Sequence, residues 1–153
     1  MTIAEWCLLG AVFLYLGTLA APKALSPRAF DNAVPRDPEF FADPMRARAL
    51  GAHNNGIETF PLFAAGVLLA EFRLAPQEWT DGLAVAFLIT RALFVWAYVT
   101  DRSTARSMLW NIGFGFNLGL FLLAGYGKAE AIIAVLLGFG WAIAVGFMLR
   151  SLR

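Results

Sequence analysis

The sequence predicts an all-α integral membrane protein. Of its 153 residues, 59% are hydrophobic and 15% are charged, and the mean hydropathy of +0.65 is far from that of a soluble domain. Five apolar stretches are each long enough for a helix to cross a bilayer, and none shows the period-two alternation of a strand. A helix satisfies its own backbone hydrogen bonds in lipid. We therefore expect one domain of five transmembrane helices in the lipid bilayer.

The predicted spans follow one another along the whole chain. The first ends before Pro22, and it has no basic residue ahead of its apolar run, so we interpret it as a permanent helix and not as a secretory signal. Short later connections make consecutive helices antiparallel neighbours. The five spans are roughly Ile3 to Ala21, Arg48 to Ala70, Trp79 to Thr100, Ser107 to Gly125 and Ala131 to Leu149.

The longest connection, Pro22 to Pro44, carries repeated prolines and mixed charges, so it cannot be one helix. Phe40 and Phe41 in this connection fit burial against the bundle and a place at the lipid interface equally well. Small residues on the last two helices predict close helix packing. These are Gly113, Gly115 and Gly119 on the fourth span and Gly138 and Gly140 on the fifth.

The basic residues predict the orientation of the chain in the membrane. If all five spans are real, nine of them fall on one side and only two, Arg73 and Lys128, on the other. Because cytoplasmic loops are rich in Lys and Arg, we expect the N-terminus outside and the C-terminus in the cytoplasm, in a bacterial inner membrane. The nine are Lys23, Arg28, Arg36, Arg46, Arg48, Arg102, Arg106, Arg150 and Arg153.

Ionisable residues lie inside two spans that are otherwise apolar. Glu58, with Asn55 one turn before it, is in the second span, and Arg91 is the only basic residue deep in any span. Intramembrane charges are costly and commonly mark functional sites. A carboxylate in a low-dielectric bundle needs a cation, so we predict an ion pair of Glu58 with Arg91, within one protomer or across an interface. The alternative is a pair that only fixes helix register.

Four further arginines lie near the same end of the predicted bundle without matching carboxylates: Arg46, Arg48, Arg102 and Arg106. Such an excess of positive charge suits an anionic ligand. The same arginines are also what the positive-inside rule requires, which needs no ligand. The lone His53 cannot build a metal site, so we expect it to be a hydrogen-bonded structural residue and expect no metal. The net charge of +1 gives no indication of nucleic acid.

The stretch RARALGAHNNGIETFPLFAAGVLLAE resembles the second-helix signature of the membrane-associated proteins in eicosanoid and glutathione metabolism (MAPEG). The third-helix stretch RALFVWAYVTDRSTAR is similar to the arginine, aromatic, tyrosine pattern of the same family through Arg91, Phe94 and Tyr98. The matching positions of the first motif are Arg48, Ala52, His53, Asn55, Glu58 and Pro61.

The resemblance implies a homotrimer of four-helix protomers, here with an additional fifth helix, that binds glutathione between adjacent subunits. By the same resemblance, the residues that bind this cofactor would be Arg48, Asn55, Glu58, Arg91 and Tyr98. Arg102 or Arg106 would be catalytic, because an arginine near the thiol favours the nucleophilic thiolate. The activity implied is that of a transferase or peroxidase acting on hydrophobic electrophiles.

The sequence also departs from the pattern of the glutathione-using members. Gly51 stands where they have an arginine, Thr59 where they have a tyrosine, and Phe94 where they have another tyrosine. Three functions therefore remain open: a glutathione-dependent enzyme, a non-catalytic membrane scaffold or accessory subunit, and a small transporter or channel. In the scaffold, Ala131 to Leu149 would bind a membrane-protein partner. The transporter is the weakest alternative, because the chain lacks an inverted repeat.

Overall fold

The structure, a computed structural model, describes residues 1–151, and within this range the chain forms five α-helices and no strand. A short 3₁₀ turn, Phe40–Ala42, precedes the second helix. The helices are α1 (Ile3–Leu25), α2 (Pro44–Phe72), α3 (Gln77–Val99), α4 (Ser103–Gly125) and α5 (Lys128–Ser151).

Helix α1 extends further than the sequence predicts. It begins at a capping box, in which Thr2 accepts from the Glu5 backbone N–H and the Glu5 carboxylate accepts from that of Thr2. The helix then continues through Pro22 to Leu25, so the expected end before Pro22 is wrong. Proline removes a single backbone hydrogen bond, and here its ring is buried against the rest of the bundle.

The connection from α1 to α2 packs two of its phenylalanines, Phe40 and Phe41, inward. Phe40 is 4% exposed and Phe41 is 8% exposed. Of the two alternatives that the sequence left open, burial against the bundle and a place at the lipid interface, the structure shows burial. Arg46 holds the turn in place, since its Nη1 donates to the Phe40 carbonyl at 2.9 Å and its guanidinium lies 4.6 Å from the Phe40 ring centroid.

Four of the five helices in residues 1–151 are long and apolar enough to cross a membrane. The exception is α2, the longest at 29 residues, which the sequence also predicted as a span. Its polar residues, including Arg48, Asn55 and Glu58, lower its hydropathy. This helix packs against α1, α3 and α4 through its buried apolar residues, while Glu58 stays exposed on the single chain.

The centre of the bundle is packed by side chains from α1 to α4. The rings of Phe63 and Phe87 are stacked with their centroids 4.1 Å apart, and both are fully buried. Because lipid tails are as apolar as these side chains, such packing stabilises a membrane bundle mainly through close contact and not through removal of water.

Helices α4 and α5 approach most closely at two glycines. A Cβ atom built on Gly138 would lie 2.7 Å from the Cα of Gly115, so no side chain fits there. Gly119 adds to this contact, since its Cβ would lie 3.5 Å from the Ala131 carbonyl oxygen. The prediction of close packing is wrong for Gly140, which has nothing within 4 Å of a built Cβ, because two residues along a helix turn it to another face.

Polar contacts hold the two ends of the bundle. At one end, Arg48 lies 3.8 Å from the Asp101 carboxylate. At the other, Lys128 pairs with Glu78 at 3.1 Å and Asp81 accepts from the Ala4 backbone N–H at 2.8 Å. Which of these ends faces the cytoplasm stays a prediction from the basic residues.

Candidate functional site

A buried arginine from α3 meets α2 near the middle of the bundle. Arg91 is only 1% exposed; its Nη2 donates to Asn55 Oδ1 at 2.8 Å, and its guanidinium lies 4.1 Å from the Phe94 ring centroid. Asn55 in turn donates to Glu58 at 3.5 Å, a long contact. Among residues 1–151, Glu58 and Arg91 form no ion pair, so the predicted direct pair is wrong within one protomer.

The reason is the direction in which Glu58 points. It is the middle residue of α2, with fourteen residues of the helix on either side, and it is exposed at the surface of the single chain. Asn55 lies one turn earlier and closer to α3, so its amide joins the arginine and the carboxylate in a chain of two hydrogen bonds.

Arg91 borders a cavity of about 210 Å³ between α2, α3 and α4, which we call the polar cavity. Two of its polar atoms have no hydrogen-bond partner within the described chain: Arg91 Nε, a donor, and Asn117 Oδ1, an acceptor. Both residues are 1% exposed. Because buried polar atoms in proteins are nearly always paired, these two are candidate contacts for a polar group. The cavity is lined by Asn55, Glu58, Thr59, Leu62, Phe87, Arg91, Trp110, Gly113, Phe114 and Asn117.

A second cavity, of about 340 Å³, lies nearer the end where α3 leads into α4, and we call it the outer cavity. Asn55 and Trp110 line both cavities, so the two are neighbours. Arg106 borders the outer cavity with its guanidinium 4.6 Å from the Tyr98 ring centroid. The outer cavity is lined by Asn55, Phe94, Tyr98, Arg106, Ser107, Trp110 and Asn111.

The structure thus brings together five of the seven residues that the sequence marks: Asn55, Glu58, Arg91, Tyr98 and Arg106. It places the other two elsewhere. Arg48 donates from Nε to the Val99 carbonyl at 3.1 Å and so caps the end of α3. Arg102 is exposed, with its guanidinium 5.2 Å from the Trp96 ring centroid. Neither borders the polar or the outer cavity.

Each departure from the family pattern has a structural counterpart. A Cβ on Gly51 would lie 2.7 Å from the Tyr98 hydroxyl, so Tyr98 fills the space that a larger residue would need. The Thr59 hydroxyl donates back to the Asn55 carbonyl at 2.9 Å and lines the polar cavity without a tyrosine's reach. Phe94 lies beneath the guanidinium of Arg91.

Sequence reasoning missed Asn117 and Trp110. Asn117 lies between the glycines that predict close packing of α4, although a polar side chain within an apolar span is itself a signal of function. Trp110 lines both cavities. Its position next to them depends on how α4 turns against α2, which no spacing in the sequence gives.

His53 has the structural role expected. Its Nδ1 lies 2.8 Å from the Tyr15 carbonyl oxygen, which can only accept, so His53 donates and ties α2 to α1. The Tyr15 ring lies directly against Gly56, so no Cβ atom fits at that position. The Tyr15 hydroxyl is a third buried polar atom that has no hydrogen-bond partner in residues 1–151.

The charged side chains that line the two cavities are two guanidinium groups, Arg91 and Arg106, and one carboxylate, Glu58. This arrangement can bind a ligand that carries more negative than positive groups. The adjoining apolar side chains, among them Leu62 and Phe114, are exposed, so the polar cavity is open at the surface of the single chain.

Comparison with known proteins gives one family. The sequence profile described as the MAPEG family matches residues 3–126, which includes α1 to α4 and every residue of the two cavities. Helix α5 begins at Lys128, beyond the matched range. In the corresponding comparisons, no curated protein and no solved structure matches the chain.

Proposed function

The chain belongs to the MAPEG family, and from that premise we propose that it binds glutathione in the polar and outer cavities and directs the thiol at a hydrophobic electrophile. The membrane bundle would hold both reactants, since glutathione reaches it from water and the electrophile from lipid. The residues proposed to bind glutathione are Asn55, Glu58, Arg91, Tyr98 and, in addition to those predicted, Asn117.

The observation that carries this proposal is the state of Arg91. A guanidinium inside a membrane bundle needs an anion close by. Within residues 1–151, no carboxylate lies within 4 Å of it, and its Nε has no acceptor. A ligand carboxylate in the polar cavity would supply the missing negative charge and accept from Nε, the charge-assisted geometry in which arginine binds most strongly.

The charges of the ligand suit those of the site. Glutathione carries two carboxylates, one ammonium group and a thiol. In this proposal Arg91 binds a carboxylate, Glu58 binds the ammonium group and Asn117 Oδ1 accepts an N–H of the peptide. The side chain of Asn55 already links Arg91 to Glu58, so it keeps the cationic and anionic groups at a defined separation.

We assign the catalytic role to Arg106 and no longer to Arg102. Arg106 borders the outer cavity and is held over the Tyr98 ring, whereas Arg102 packs outside on Trp96. A fixed positive charge beside the thiol raises the fraction present as thiolate. When bound, glutathione supplies a thiol that adds to an electrophilic carbon, or that together with the thiol of a second glutathione reduces a hydroperoxide to an alcohol and water as the two thiols become a disulfide.

We also propose the homotrimer that the family resemblance implies. Glu58 supports it, since an exposed carboxylate at the middle of a helix within a membrane bundle is unfavourable in contact with lipid. A neighbouring copy that covers this part of α2 would remove Glu58 from lipid and close the open side of the polar cavity.

The experiment that tests the proposal is calorimetric titration of the detergent-purified protein with glutathione. Saturable binding is expected, with at least about tenfold weaker affinity in Arg91→Gln, because a charge-assisted pair contributes about 1.5–3 kcal/mol. Arg73→Gln is the matched control, because Arg73 is an exposed arginine at the C-terminal end of α2 and lines neither cavity. Absence of binding at millimolar glutathione would contradict the proposal.

A second candidate is a membrane scaffold, which is favoured by the contacts at Gly51 and Thr59. Two ligand-contacting side chains of the glutathione-using members are absent there, and the space at Gly51 is already filled by Tyr98. In a scaffold, Arg91 would be neutralised by protein groups across the subunit interface. Absence of glutathione binding together with dissociation of the oligomer in Glu58→Gln would favour this function.

A further inference from the structure

Helices α4 and α5 enclose an apolar groove that the proposed glutathione site does not include. Its volume is about 360 Å³. Trp110 and Phe114 on α4 and Leu137 and Trp141 on α5 form its bulky sides, and Asn111 is its one polar lining residue. We call it the α4–α5 groove.

The close approach of the two helices creates this groove. Gly115 and Gly138 meet backbone to backbone, with a built Cβ of Gly115 only 2.9 Å from the Cα of Gly138, so the bottom of the groove cannot be filled by a side chain. The aromatic and leucine side chains around it are exposed and stand above this contact. Such a groove, narrow at its base and apolar along its walls, suits a flexible hydrocarbon chain.

The groove adjoins the proposed site along a shared wall. The rings of Trp110 and Phe114 are stacked, with their centroids 5.6 Å apart and an angle of 3° between the ring planes. Both residues line the polar cavity as well as the groove. Trp110 and Asn111 also line the outer cavity together with Arg106. A chain that lies in the groove can therefore extend past Trp110 to the place where the thiolate is expected.

We propose that the α4–α5 groove binds the hydrocarbon chain of the electrophilic co-substrate and presents its reactive end at Trp110. This inference rests on the proposed function and specifies its substrate class: a molecule with a linear apolar chain next to the reacting carbon. Trp110 and Asn111, which line both the groove and the outer cavity, favour this occupant because they connect the groove to the proposed position of the thiolate. Because α5 is outside residues 3–126, the subsite depends on a helix that the family match does not include.

The test uses S-alkyl glutathiones of increasing chain length. Each of these probes carries glutathione for the proposed site and a hydrocarbon chain for the groove in one molecule. In the wild type, affinity should rise about fourfold with each added methylene until the groove is full. Leu137→Trp should abolish most of this gain by filling the groove, while plain glutathione binds as before. Leu136→Trp is the matched control: both leucines are 64% exposed, and only Leu137 lines the groove.

The outcomes separate the inference from the function on which it rests. If plain glutathione binds and the chain-length gain is equal in both tryptophan variants, the alkyl chain lies in detergent or lipid, and the inference is overturned. If no probe binds to the wild type, the proposed function itself fails. Leu118→Trp, on the α4 side of the groove, should reproduce the loss seen in Leu137→Trp, and an unchanged gain there would also count against the groove.

Discussion

The hydroxyl of Tyr98 lies in the space directly above Gly51, where a Cβ atom would be only 2.7 Å from the tyrosine oxygen. This contact links α2 to α3 beside the outer cavity. It also explains how the chain differs from glutathione-using members at this position without leaving a void. The Tyr98 side chain therefore occupies the space that an arginine at position 51 would need.

Gly51→Ala should therefore lower stability by up to about 2 kcal/mol, because the added methyl group forces the end of the Tyr98 side chain to move and the higher helix propensity of alanine offsets only part of that cost. Combining it with Tyr98→Ala should cost less than the sum of the two single changes, since the methyl group then has room. Thermal unfolding of the four proteins in detergent measures this coupling. Strictly additive effects would mean that the two residues do not compete for space.

Asn55→Leu should destabilise the protein by about 1.5–3 kcal/mol, because it removes the acceptor of a hydrogen bond from a buried cation. The neighbouring Asn54 is exposed, so Asn54→Leu serves as the control in the same helix. Denaturation of both variants gives the comparison. Equal stability of the two would show that Arg91 does not depend on Asn55.

Gly138→Ala should weaken the packing of α5 on α4, because its methyl group would meet the backbone of Gly115 at 2.7 Å. Gly140→Ala, with open space around it, should be neutral or stabilise the helix by up to about 1 kcal/mol. Cross-linking between cysteines introduced on the two helices would report the change. Similar cross-linking in both variants would contradict the glycine contact.

Arg106→Gln should lower kcat/KM for conjugation about tenfold or more, because loss of one adjacent positive charge lowers the thiolate fraction of bound glutathione. Arg102→Gln should leave the rate nearly unchanged. Ultraviolet absorbance of the bound thiolate provides a readout that does not depend on the electrophile. The reverse ranking of the two arginines would move the catalytic role to Arg102.

Much of the fold was predictable because each helix carries its own signal. Hydropathy, length and turn residues located all five helices, although Pro22 misplaced the end of α1. Helix α2 was recognisable from its polar positions, which also make it the least apolar of the five. Which glycine faces which helix, as at Gly138 and Gly140, depends on rotation about the helix axis, and spacing of small residues alone does not determine that.

The site was predictable as a set of residues and less so as a geometry. Spacing put Asn55 and Glu58 on one helix stripe, but it could not show that Asn55 would lie between Glu58 and Arg91. Nor could it separate Arg106 from Arg102: Arg106 lies in the first turn of α4 and packs on Tyr98, whereas Arg102 precedes the helix as its N-cap residue and packs on Trp96. Asn117 was overlooked because its glycine neighbours suggested packing.

The central claim is that Arg91 binds a carboxylate of glutathione, and a thermodynamic cycle between protein and ligand tests it most directly. Binding of glutathione and of its two mono-carboxamides would be measured for wild type and Arg91→Gln. We predict that amidation of one carboxylate weakens wild-type binding but has almost no effect in the variant, a coupling of about 1.5–3 kcal/mol. Equal losses in both proteins for both amides would contradict the account.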